Sequence, residues 1–140
     1  MICLKIPLNK IEDWRDIKLG LDIYISRKTA TGKECLIHWR KIAPVAEWFK
    51  EKIYGGTIDC DERPLDYLAL AFLHENCIAA LDAEDWKGKM QEQLFPVSPD
   101  FKWTGRKELA YLKMMETIAE DIEDVAEPEP GEELLIQISF

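Results

Sequence analysis

The stretch LHENC, residues 73–77, gathers the side chains of this chain best suited to chemistry: His74, Glu75 and Cys77. His74 and Glu75 match the first two letters of H-E-x-x-H, the zinc-protease helix in which two histidines one turn apart converge on one metal. Position 78 is Ile, so the second ligand is missing. His74 and Cys77 share one side of a helix, where an imidazole can serve a thiol as base. A catalytic thiol needs an accessible, electropositive setting, whereas this one sits in an apolar segment near Glu75. No catalytic residue is therefore assigned. LHENC is expected to be a polar interruption in a buried helix, with partners on a sheet face bearing Tyr24, His38 and Arg40.

Cys35 and His38 join His74 and Cys77 to make a formal Cys₂His₂ set. On a regular strand, residues three apart point to opposite faces, so only the helical pair would converge and no metal site is expected. Asp59, Asp61 and Glu62 lie within four residues, but the glycine and closing glutamate of a calcium-binding loop are absent. They read as carboxylates placed ahead of a helix, favoured by its N-terminal partial charge. The chain has no G-x-S-x-G, no G-x-x-x-x-G-K-[ST] and no G-x-G-x-x-G, so the commonest hydrolase and nucleotide signatures are missing. No cofactor is expected.

Hydrophobic patterning sets the elements that must hold these residues. The 140 residues, 47% of them hydrophobic, suit one globular domain over 1–140. Residues 2–6 alternate as a short strand stopped by Pro7, and Asn9 suits the cap of a turn with Ile11 and Trp14. Leu21, Ile23 and Ile25, then Cys35, Ile37 and Trp39, alternate on either side of TATGK and predict a β-hairpin over 21–41. Pro44 suits the first turn of a helix that Gly55-Gly56 ends. A second helix, Leu65 to Leu81, is apolar nearly all round. It is expected at the centre, with Leu68, Phe72, Leu73 and Ile78 in the core. Asp82, followed three residues on by Asp85, suits the cap of a third helix with Trp86, Met90 and Leu94 on one stripe. A fourth, from about Arg106 to Ala126, places Leu109, Leu112, Met115, Ala119 and Ile122 inward. An acidic Pro/Glu-rich linker at about 127–133 leads to a last strand bearing Leu134, Ile136, Ile138 and Phe140 on one face. The fold class is α+β: a small mixed or antiparallel sheet, made of the terminal strands and the hairpin, packed against about four helices.

Charge is the strongest compositional signal. The net charge is −9, with 11 basic and 7 acidic residues in 1–56 against 7 basic and 20 acidic in 57–140. Between Glu116 and Glu133 stand nine carboxylates and no basic residue. Glu116, Glu120, Glu123 and Glu127 recur at helical spacing. Like charges one turn apart destabilise a helix by a few tenths of a kcal/mol per pair, and acids at a C-terminus oppose the helix dipole by about 0.3–1 kcal/mol each. A solvated, solubilising face is the plain reading. The functional one is a docking surface of Glu116, Glu120, Glu123, Asp124 and Glu127 for a basic protein partner, where complementary charge speeds encounter.

The expectation is accordingly a cytoplasmic protein-binding module, an inhibitor or immunity-type protein covering a basic partner such as a nuclease toxin. The alternatives are a small enzyme using His74, Glu75 and Cys77, and an acidic mimic of nucleic acid. Nucleic-acid binding through the basic hairpin (Arg27, Lys28, Lys33, Arg40 and Lys41, with Trp39 for stacking) is opposed by the net charge. The N-terminal MICLKIPLNK lacks a basic leader with an apolar segment and cleavage site, and no apolar run is long enough to span a bilayer. Cys3, Cys35, Cys60 and Cys77 form no C-x-x-C and are expected as reduced thiols.

Overall fold

The computed structural model describes residues 20–140; the strand expected at 2–6 and the turn after Asn9 lie outside them. The hairpin forms as expected from β1 (Asp22–Thr29) and β2 (Gly32–Arg40). It is followed by α1 (Ala43–Lys52), a two-residue β3 (Arg63–Pro64), α2 (Tyr67–Asp82), α3 (Trp86–Gln93), α4 (Gly105–Glu123) and β4 (Glu133–Ser139). The sheet is antiparallel throughout, in the order β2-β1-β4-β3. Together they make a small α+β fold.

Strand alternation gives the sheet a core face. Ile23 and Ile25 of β1, Ile37 and Trp39 of β2, and Leu134, Ile136 and Ile138 of β4 are all buried, in one cluster with the inner residues of the helices. Asp22, Tyr24, His38 and Gln137 alternate onto the other face. Ile25 pairs with Ile37, but Ser26 pairs with Cys35, so Leu36 is an extra residue in β2. Such a bulge reverses the alternation beyond it. Cys35 therefore shares the outer face with Ser26 and His38, and is exposed; the expected stripe of Cys35, Ile37 and Trp39 is broken at its first member.

The helix boundaries follow local chemistry. The Asp66 carboxylate accepts from Leu68 N (2.9 Å) and caps α2, which starts two residues later than expected because Pro64 is used in β3. Asp85, not Asp82, caps α3, accepting from Gly88 N at 3.2 Å. A Cβ at position 88 would run into that carboxylate, so the glycine that weakens α3 also admits its cap. Thr104 caps α4, accepting from Lys107 N at 3.2 Å.

Two expectations about burial fail. In α2 the inward stripe is Leu70, Leu73, Cys77 and Ala80, while Leu68 is 71% and Phe72 49% exposed; Ile78 is only partly buried. In α4 the stripe is Tyr111, Met114, Met115, Ile118, Ala119 and Ile122, leaving Leu109 70% exposed. An all-round apolar helix has no period from which to read its phase. The core cluster lies on one side of α2, and Leu68, Phe72, Glu75 and Ala79 on its other side are exposed.

A candidate docking face on the helical layer

Helix α4 carries its charges against its own dipole. Arg106, Lys107 and Lys113 stand in its first half and Glu116, Glu120, Asp121 and Glu123 in its second, with no basic residue in the last turn. Its solvent line reads Arg106, Leu109, Lys113, Glu116, Glu120, Glu123, and continues past the helix to Asp124 and Glu127, all exposed. The five carboxylates expected at a docking surface are thus presented on one end of the molecule. Glu116 has Lys113 at 3.9 Å and Glu123 has His74 at 3.1 Å. Glu120, Asp124 and Glu127 make no ion pair among the described residues. Asp121 is turned inward, where its Oδ2 accepts from the indole Nε1 of Trp39 at 2.8 Å and ties α4 to β2.

His74 answers the question raised by LHENC. Its Nε2 meets Glu123 Oε1 across the α2–α4 contact, so the partner is on a helix and not on the sheet. Tyr24, His38 and Arg40 lie on the outer sheet face instead. There Tyr24 stacks on His38 with centroids 4.5 Å apart, and Asp22 holds His38 Nε2 at 2.7 Å and Arg40 Nε at 3.7 Å. Cys77 has no exposed surface, and burial pushes its thiol up to about 12. A thiolate is disfavoured there, in contrast to the accessible, electropositive setting of a catalytic thiol. A cleft of ≈ 410 Å³ between α1 and the end of α3, lined by Glu47, Trp48, Glu51 and Leu94 among others, contains neither His74 nor Cys77.

Among the described residues no three His, Cys, Asp or Glu side chains gather as a metal-binding group. The bulge places Cys35 and His38 on one face, contrary to the strand argument, yet that face looks away from α2. Two of the three IDCDE carboxylates find side-chain partners: Asp59 binds the Arg63 guanidinium, whose hydrogen bond lowers its pKa, and Glu62 holds Lys33 at 2.8 Å. The helix that follows is capped by Asp66 instead.

Part of the basic hairpin is taken up by internal contacts, while Lys28 and Lys41 stay exposed. Arg27 donates to Ala126 O at 2.8 Å and pairs with Glu132 at 3.5 Å, Lys33 is paired, and Trp39 is 3% exposed and unable to stack a base. Cys60 is disulfide-bonded, so the expectation of reduced thiols fails for it; Cys35 and Cys77 are free. Among the described residues no helix is long and apolar enough to cross a membrane. No family model, curated protein or solved structure matches the chain.

Proposed function

We propose that the protein is a binding module, an inhibitor of the immunity type, that covers a basic protein partner such as a nuclease with the acidic end of α4. One observation carries this reading: Glu120, Asp124 and Glu127 are exposed and without ion-pair partners among the described residues, at a helix end where each opposes the dipole. Local stability does not account for that arrangement, and electrostatic complementarity to a cationic surface does. The inhibitor role itself rests on the chain's size and charge. The outer Tyr24–His38–Arg40 face is the surface to which binding would be reassigned if the acidic one is idle.

Free Cys35 and Cys77 suit the reducing cytoplasm, whereas a disulfide at Cys60 suits an oxidising compartment. Alkylating thiols at the moment of lysis separates the two. The functional test is capture from native lysate at low salt, followed by mass spectrometry. One basic protein, retained at low salt and released as salt rises, is the expected result. Retention that ignores both salt and neutralisation of Glu116, Glu120 and Glu127 would remove the proposal.

A further inference from the structure

We infer that the cleft between α1 and the end of α3 binds a small ligand carrying an ammonium group and a neutral oxygen acceptor, of the amino-amide or amino-alcohol class. Its volume of ≈ 410 Å³ is that of a small-molecule site. It shares no residue with the acidic end of α4, and the docking surface there is not needed for it. Polar atoms left over by the fold concentrate in its wall. Among the described residues four buried side-chain nitrogen or oxygen atoms lack a hydrogen-bond partner: Arg27 Nε, Glu47 Oε2, Trp48 Nε1 and Asn76 Nδ2. Two of these belong to consecutive residues of α1, and both residues line the cleft. Folded proteins leave few such atoms, because each has lost its water without gaining a partner.

Both side chains are held in place. Lys50 binds Glu47 Oε1 at 3.0 Å, which fixes the carboxylate and leaves its other oxygen to spare. Trp48 is 3% exposed, with its ring between Phe49 and Phe72 at centroid distances of 5.1 and 6.3 Å. A ligand that serves both atoms must donate to a carboxylate and accept from an indole N–H. The rest of the lining sets its charge. Glu51 lies one turn from Glu47 on the same side of α1, and Glu92 comes from α3. Against these three carboxylates the lining has one cation, Lys52, and Lys50 stands beside Glu47 and Glu51. The balance is negative and favours an ammonium over an anion. Among the described residues no three acidic, His or Cys side chains gather closely enough for a metal ion, so the cation that fits is an extended, organic one. Trp48, Leu94 and Pro96 in the same lining suit a short aliphatic group.

The test uses the full chain, isotopically labelled for NMR, and leucinamide as the probe. Leucinamide joins a protonated amine, an amide carbonyl and a short aliphatic side chain. Three comparators each change one part: isopentylamine lacks the oxygen, isocaproamide lacks the amine, and leucine puts a carboxylate in place of the amide. The indole N–H resonance of Trp48, assigned by its loss in W48F, is followed during each titration. Leucinamide should move it saturably, with a Kd on the order of 1 mM for so small a ligand, and each comparator should bind several-fold more weakly. E51Q/E92Q changes two exposed side chains and should weaken leucinamide several-fold without altering the melting curve. E47Q should weaken it further; if melting shows E47Q to be unfolded, E51Q/E92Q decides. A Trp48 resonance that no ligand moves means that solvent alone fills the cleft and overturns the inference. Leucinamide binding that E51Q/E92Q leaves unchanged, or that isocaproamide equals, overturns it as well.

Discussion

His74 Nε2 lies 3.1 Å from Glu123 Oε1, joining the middle of α2 to the end of α4. The residue that most resembled half of a metalloprotease motif thus supplies a clasp between two helices. LHENC contributes a polar seam between helices.

Trp39 and Asp121 make the corresponding tie between α4 and the sheet. Asp121→Ala leaves the Trp39 indole N–H buried and unpaired, an outcome worth about 1–3 kcal/mol. Chemical denaturation should show that loss, and Asp121→Asn, which keeps an accepting oxygen, should recover most of it. Unchanged stability in Asp121→Ala would mean that this bond does not anchor the acidic helix.

Leu68 and Leu73 distinguish the expected burial of α2 from the observed one. Leu73→Ala should cost about 2–5 kcal/mol, as a core truncation does, and Leu68→Ala no more than about 0.5 kcal/mol. Comparable losses for both would restore Leu68 to the core.

The sheet and helix order was legible because it is written in local patterns. The hairpin alternates about a glycine-containing turn, α1 opens with Pro44 and closes on glycines, and β4 alternates from Leu134 to Ile138. The phase of α2 was not legible, since apolar residues on every side leave the choice of inward face to the neighbours it meets. The bulge at Leu36 was hidden for a related reason: Cys35 continues the apolar alternation in type, and only pairing with Ser26 shows that it has left the face. Of the candidate site, the carboxylates of α4 could be read from spacing alone. Withdrawal of Asp121 toward Trp39, 82 residues away, could not, because that contact exists only once α4 packs across β2.

Stability should fall at both ends of the pH scale, for different groups. The Arg63 guanidinium bonded to Asp59 holds that carboxyl below its ordinary 3.8. Its contribution is complete above that value and is lost as pH falls through the lower, folded-state value. Burial, then the nearby Asp59 charge, pushes Tyr54 up to about 12 from 10.0. Its contribution is complete below pH 10 and is lost between 10 and 12, on the order of 2 kcal/mol. Tyr54→Phe should flatten the alkaline limb of a denaturation-versus-pH curve, and Asp59→Asn the acid limb. An alkaline limb unchanged in Tyr54→Phe would contradict the assignment.

Thiol labelling should resolve three classes in the folded protein at pH 8. Cys35, exposed, should react at once; Cys77, buried and held protonated, only after unfolding; Cys60, only after reduction. Mass mapping after alkylation reads each directly. Prompt labelling of Cys77 would reopen the enzyme alternative.

The central claim is that the exposed carboxylates of α4 steer a basic partner. The most direct measurement is the association rate of the wild type and of E116Q/E120Q/E127Q with the basic protein recovered at low salt, taken at two salt concentrations. These positions avoid the Trp39 and His74 ties, so the variant should melt as the wild type does or slightly higher. At low salt the variant should associate several-fold more slowly, and the gap should narrow at high salt, where exposed charges are screened beyond about 8 Å. Equal association rates at low salt would contradict the account and leave the acidic face a solvated one.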